Sequence, residues 1–180
     1  MEKGLVQVFY GTGKGKTTSA LGTAIRALGN NYSVHLIQFM KKGAPSLDQE
    51  IPGELSSLTK LTGFSFKRFG LGDWYKPGKN DEAHKKNAQE AFDHLKLSLE
   101  SSEYDLIIAD EILYAVQLGL IEESRVIELI KSKPSDKELI LTGSHQPLPN
   151  IFVLADLITE VKKIKHPYDS GILSRKGIEY

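Results

Sequence analysis

Three glycines at alternate positions, Gly11, Gly13 and Gly15, run directly into Lys16, Thr17 and Thr18. Residues of these types at this spacing bind phosphate. The glycines let the backbone curl until successive N–H groups point into one concavity, and a helix starting at the lysine adds the positive end of its dipole. Lys16 sets a point charge on the outer phosphates, and the Thr17 hydroxyl suits a Mg2+ ion bridging them. A bare strand-to-helix turn would use glycine for geometry alone and has no need of Gly-Lys-Thr-Thr at its exit. A second pair of chemical groups, Asp110 and Glu111, closes the apolar run YDLIIA. Acids at the C-terminal end of a buried strand beside a phosphate loop are the expected second holder of Mg2+, directly or through water. In isolation the same pair reads as a helix N-cap at Asp110 followed by a first-turn acid.

The loop departs from the usual pattern, which has four residues between its first glycine and the Gly-Lys-Ser/Thr triplet. Only Thr12, Gly13 and Lys14 separate Gly11 from Gly15, and Tyr10 takes the older glycine position. With one residue fewer and an extra cation at Lys14, this loop grips phosphates differently from that of an ordinary ATPase. The motif alone therefore does not imply hydrolysis at the terminal phosphate. The chain has no cysteine and no G-x-S-x-G, so the partner that reacts with a bound nucleoside triphosphate must be brought in. Arg26, ten residues beyond Lys16, is placed either to reach the nucleotide or to sit solvated on its helix. His35, His84, His94, His145 and His166 show no metal-ligand spacing. Trp74, beside Tyr75, is of the type that covers a flat ligand, although a lone tryptophan more often anchors a core.

These groups need a scaffold, and the pattern supplies one. Strand-forming residues 5–10 precede the loop; Ala20, Leu21, Ala24, Ile25 and Leu28 then fall on one helix face before Gly29-Asn30-Asn31. Further strands are expected at 33–40, 64–69, 104–111, 138–142 and 157–164, and helices at 53–61, 80–101, 112–118, 122–132 and 150–155. The glycine-rich stretch 70–78 has the composition of a lid or a loosely ordered loop, and the tail from His166 is irregular. Strands alternating with helices predict an α/β fold: a mostly parallel central sheet of about six strands with helices on both faces. Ligands bind such sheets at the C-terminal ends of the strands.

Composition narrows the function classes. At 180 residues the chain suits a single domain spanning residues 1–180. Acidic and basic residues balance at 23 each, which argues against a nucleic-acid or membrane-surface partner. Without cysteine there are no disulfides or thiolate metal sites, in keeping with a cytoplasmic protein. No apolar run approaches the ~20 residues of a membrane span, and the start MEKGLVQVF lacks a signal-peptide pattern.

With both motifs in view, the chain resembles the ATP:corrinoid adenosyltransferases of P-loop NTPase (RecA-like) architecture over nearly its whole length. The likeness rests on GTGKGKTTSALGTAIRALG, VHLIQFMK, YDLIIADEILYAVQLGL, ELILTG and the tail ADLITEVKKIKHPYDSGILSRKGIEY. The resemblance implies that a reduced Co(I) corrinoid attacks the 5' carbon of ATP, forming a cobalt–carbon bond and expelling triphosphate. The cobalt is then the nucleophile, and the corrinoid a substrate; the D-x-H-x-x-G arrangement of proteins that ligate cobalt through histidine is absent.

Carried over by position, Gly11, Thr12, Gly13, Lys14, Gly15, Lys16, Thr17 and Thr18 wrap the triphosphate and Arg26 lies near the nucleotide. Lys16, Thr17 and Glu111 act in catalysis, with Thr17, Asp110 and Glu111 at the Mg2+. The loop ending in Trp74 approaches the corrinoid and helps remove its lower axial ligand, leaving a Co(II) centre easier to reduce. A homodimer and a reductant protein such as a flavodoxin are implied as partners. Gly72 stands where many members have an aromatic, Ser144 where some have arginine, and the chain begins without the longer N-terminal lid of some members. The competing expectation is a RecA-like regulatory NTPase or binding module acting on a protein or nucleic acid, to which the charge balance and short loop are ill suited. A small-molecule kinase would need an acceptor site and a phosphate-transfer lid that no segment supplies.

Overall fold

A computed structural model describes residues 2–41, 51–72 and 75–178. Its six strands are β1 (Val6–Tyr10), β2 (Val34–Gln38), β3 (Phe64–Arg68), β4 (Leu106–Asp110), β5 (Glu138–Thr142) and β6 (Leu157–Glu160). They form one sheet of order β3-β2-β4-β5-β1-β6, and every strand pairing in it is parallel. The helices between them are α1 (Lys16–Leu28), α2 (Gly53–Leu58), α3 (Asp81–Glu100), α4 (Ile112–Gln117), α5 (Glu123–Ser132) and α6 (Pro149–Phe152).

Period-two alternation in the strands divides the core in two. Ile37, Ile107, Ala109, Leu139 and Leu141 face a cluster with Ala91, Phe92 and Leu95 of α3, Leu113 of α4 and Val126 of α5. Their neighbours Leu36, Leu106, Ile108 and Ile140 face the other way, onto Ala20, Leu21 and Ala24 of α1 and Leu55 and Leu58 of α2. Strands covered on both faces explain the uninterrupted apolar runs in β4 and β5, buried at every position.

Several boundaries fall short of the sequence expectation, most of them for local reasons. The second strand stops at Gln38 rather than Met40, because Met40 turns into the left-handed region at φ 56°. The fourth starts at Leu106 and ends at Asp110, since Glu111 adopts φ 67°. The last ends at Glu160 rather than Ile164 and is exposed throughout. Helices α2 and α6 span Gly53–Leu58 and Pro149–Phe152, shorter than or displaced from the 53–61 and 150–155 expected.

The register sets the strand ends side by side: Phe9 opposite Thr142 and Gln38 opposite Asp110. Chemistry-bearing residues from four strands therefore share one edge.

Candidate functional site

The phosphate loop leaves β1 at Gly11 and enters α1 at Lys16, as the glycine spacing requires. Gly11 has φ 111°, and a Cβ there would lie 2.5 Å from the Val161 carbonyl oxygen. The chain just after β6 thus backs the loop, and the Gly13 N–H donates to Val161 O at 2.7 Å. At the helix start Gly15 is the N-cap with no side-chain capping bond, and no acid occupies the first turn. The first N–H groups and the positive dipole end are left for an anion.

Lys16 lies over this cup, its Nζ donating to the carbonyls of Gly11 at 2.7 Å and Gly13 at 3.0 Å. Burial is the main influence on its ammonium and, with Lys41 nearby, outweighs the attraction of Glu111 and Asp110, so its pKa is lowered. Thr12, Lys14 and Thr18 also stand on the loop and first turn, all three exposed. Arg26 does not join them. It is exposed in the last turn of α1, ten residues and hence about 15 Å along the axis from Lys16. Trp74 lies outside the described residues.

The two acids differ in environment. Asp110 is fully buried. Its Oδ1 accepts from Thr17 Oγ1 at 2.8 Å and Thr142 Oγ1 at 2.6 Å, and its Oδ2 from Lys41 Nζ at 2.7 Å and Gln38 Nε2 at 3.1 Å. Burial alone would raise its pKa, but Lys41 and the hydroxyl donors reverse the sign and hold the carboxyl below the usual range. Glu111, not Asp110, is the N-cap of α4, and its side chain makes no capping bond. The helix-cap explanation of the pair therefore fails. The Glu111 N–H donates to Thr142 Oγ1 at 3.0 Å, and its Oε1 lies 3.4 Å from Lys41 Nζ.

Gly143, at φ 111°, makes that arrangement possible, because a Cβ would come within 2.7 Å of Tyr114 N and 3.1 Å of Glu111 Oε2. The next residue, Ser144, is buried and turned inward at φ 56°, with its hydroxyl bonded to Gln117 and to the Gln146 carbonyl. It carries no charge to the cleft; His145 lines that cleft instead, its ring 4.9 Å from that of Tyr114.

Lys41, Thr142, Gln38, Tyr114 and His145 were not singled out by sequence motifs. Position alone could have found the first three, since each ends or follows a strand at the edge where ligands bind. Beyond Lys16, Lys41 and Glu111 opens a cleft of about 320 Å³ walled by Phe39, Met40, Leu71, Tyr75, Tyr114 and Leu118. Leu71 and Tyr75, two described residues of the glycine-rich stretch 70–78, line this cleft. None of the five histidines gathers with acids into a metal cluster: among the described residues no group of three or more His, Asp or Glu is disposed to hold a metal.

An all-parallel sheet with a glycine loop and a lysine at a helix start, facing a buried strand-end acid, defines a nucleotide-binding P-loop protein. In the RadB recombinase the same fold recurs: that structure matches with a TM-score of 0.53 at 18% identity, over 92% of this chain and 77% of that one. The family model described as "ATP:corrinoid adenosyltransferase BtuR/CobO/CobP" matches residues 2–180. Corrinoid adenosyltransferase from Escherichia coli K12 is 31% identical over 99% of this chain and 87% of its own length. Corrinoid adenosyltransferase CobA from Salmonella typhimurium gives the same identity and the same coverage. The chain belongs to the ATP:corrinoid adenosyltransferase family.

Proposed function

We propose that this protein transfers the 5'-deoxyadenosyl group of ATP to a Co(I) corrinoid, with inorganic triphosphate as the leaving group. One observation carries the reading: the phosphate cup opens onto an apolar, aromatic-walled cleft whose described lining holds no cysteine or serine nucleophile. A site of this kind positions two substrates and stabilises a departing anion; it does not itself attack. The Gly11–Thr18 backbone and Lys16 hold the triphosphate, so that negative charge growing on the α-phosphate side meets fixed donors. The apolar walls receive the planar corrinoid and exclude water from the reduced cobalt.

The donor set fits Mg2+. A hydroxyl from Thr17 and carboxylates from Asp110 and Glu111 are hard oxygen ligands, and the neighbouring Gln38 Oε1 is buried with no hydrogen-bond partner, an acceptor suited to a metal-bound water. Two acids and a hydroxyl leave the remaining positions to phosphate oxygens and water. Bound there, Mg2+ would neutralise charge on the leaving group. Thr17, Asp110 and Glu111 would hold it at the cleft, the Thr17 hydroxyl being oriented by its bond to Asp110.

Leu157 and Ile158 on the uncovered strand β6, with Ile164 and Leu173 beyond it, expose 44%, 43%, 90% and 74% of their surface. A second copy covering them in a homodimer is the arrangement these side chains support. A reductant protein such as a flavodoxin would supply the electron, and the use of ATP as substrate favours a cytoplasmic reaction. Incubation with ATP, Mg2+ and chemically reduced cobalamin should yield adenosylcobalamin by its visible spectrum and triphosphate by phosphorus NMR. Phosphate or diphosphate as the product overturns the reading and favours a regulatory NTPase.

A further inference from the structure

We propose that Lys41 is the resident counter-ion of the metal position. Its ammonium occupies the oxygens that the divalent cation needs and passes to the triphosphate when metal and nucleotide arrive. The inference rests on the assignment of Thr17, Asp110 and Glu111 to Mg2+. Lys41 Nζ meets all three groups, at 3.1 Å from Thr17 Oγ1, 2.7 Å from Asp110 Oδ2 and 3.4 Å from Glu111 Oε1. A monovalent and a divalent cation cannot share oxygens at that range without strong mutual repulsion. Occupancy is therefore exclusive.

The backbone around Lys41 is held by its neighbours, whereas its ammonium is held, among the described residues, only by the three groups of the metal position. Met40 is held in the left-handed region at φ 56°, which for a non-glycine residue is costly and persists only where neighbours impose it. The Lys41 N–H donates to Phe69 O at 2.8 Å, and its carbonyl accepts from the Arg68 guanidinium. These contacts pin the pivot. The four-carbon stem beyond is 29% exposed and opens on the cleft it shares with Lys16, where a bound triphosphate presents its oxygens. Asp110, with no exposure to water, needs a cation in either state. Lys41 provides it before the metal comes, and then supplies a further donor to the leaving group of the same reaction.

The test is a Mn2+ titration followed by electron paramagnetic resonance, on the nucleotide-free full chain, of wild type, Lys41→Met and Lys41→Arg. Lys41→Met should bind the metal alone about ten- to a thousandfold more tightly than wild type, the factor by which an adjacent opposite charge shifts a carboxylate. Lys41→Arg, which keeps the charge, should stay near wild type. Inorganic tripolyphosphate should bind Lys41→Met more weakly than wild type when Mn2+ is present. If Lys41→Met is unstable in chelator, Mn2+ should restore its melting temperature; instability that Mn2+ does not relieve overturns the proposal, as do equal metal affinities in wild type and Lys41→Met. A control separates this failure from that of the metal assignment. Mn2+ binding to ATP-loaded wild type, lost in Asp110→Asn, establishes the metal position independently of Lys41. Its absence overturns that assignment and the proposal together.

Discussion

Opposite ends of the same sheet hold buried or half-buried lysines, and they are used in opposite ways. At the far end from the cleft, Lys133 Nζ donates to the carbonyls of Gly4, Pro134 and Lys137, at 3.1, 3.0 and 2.6 Å. Lys137 Nζ donates to Ser101 O at 2.8 Å and to Tyr104 O. Glu138 there accepts from Leu5 N at 2.6 Å and Gln7 Nε2 at 2.7 Å. Each of these partners is main chain or neutral amide and cannot be exchanged for solute. At the cleft end Lys41 is bonded to two carboxylates and a hydroxyl, and Lys16 to loop carbonyls, groups that on the proposed reading a nucleotide and Mg2+ would claim. A lysine on backbone carbonyls is a permanent staple; a lysine on carboxylates beside a phosphate cup is a replaceable one.

The sharpest way to break that contrast is Lys16→Ala. It should lower the rate of adenosylcobalamin formation by about a thousandfold, ~4 kcal/mol of lost leaving-group stabilisation, with the melting temperature nearly unchanged. A large fall in melting temperature would put Lys16 with the staples. Lys137→Met should do the reverse. It strands two partly buried carbonyls, worth about 1–3 kcal/mol of unfolding free energy by chemical denaturation, and leaves turnover of the folded fraction intact. Mn2+ should not rescue it, in contrast to Lys41→Met.

A pH series separates the ends further. His35 is buried against Tyr104, its ring stacked at 4.5 Å, and bonded to Ser65 and His94. Burial first, then the neighbouring His94 and Lys67, lower its pKa to about 4. The folded protein keeps this imidazole neutral while the unfolded chain protonates below about 6.5, so stability falls as pH drops from 6.5 toward 4. Calorimetry between pH 7 and pH 5 should show the melting temperature fall by about 5 °C. His35→Phe should flatten that slope. Last and smallest, Arg26→Ala should change neither stability nor kcat/KM by more than about 0.5 kcal/mol, as its exposed place at the end of α1 implies. A large effect would bring Arg26 back to the nucleotide.

The fold was legible because its signals are local and strong. Apolar runs in β4 and β5, the helix face of α1 and the glycine loop each announce themselves within about ten residues. Of the candidate site, the grouping of Lys16, Thr17, Asp110 and Glu111 was legible, because two local motifs carried it. The site was not legible where it is assembled across strands. Gln38, Lys41 and Thr142 come to Asp110 only through the register of β2, β4 and β5, and no spacing along the chain encodes that. Strand ends were misjudged at Met40 and Glu111 because positive φ values there are imposed by tertiary contacts on residues with no intrinsic preference for them.

The sheet order has a consequence in time. Strand β1, made first, pairs only with β5 and β6, which are made last. On the loop that follows, the Gly13 N–H is anchored by Val161, and the Lys14 ammonium reaches the Ile178 carbonyl, 164 residues further along the chain. A nascent chain carries its complete glycine motif before β5 and β6 are made, yet it has nowhere to seat that motif until they join the sheet. ATP therefore meets a formed cup only on a chain in which β5, β6 and the segment around Ile178 have already joined β1 and its loop.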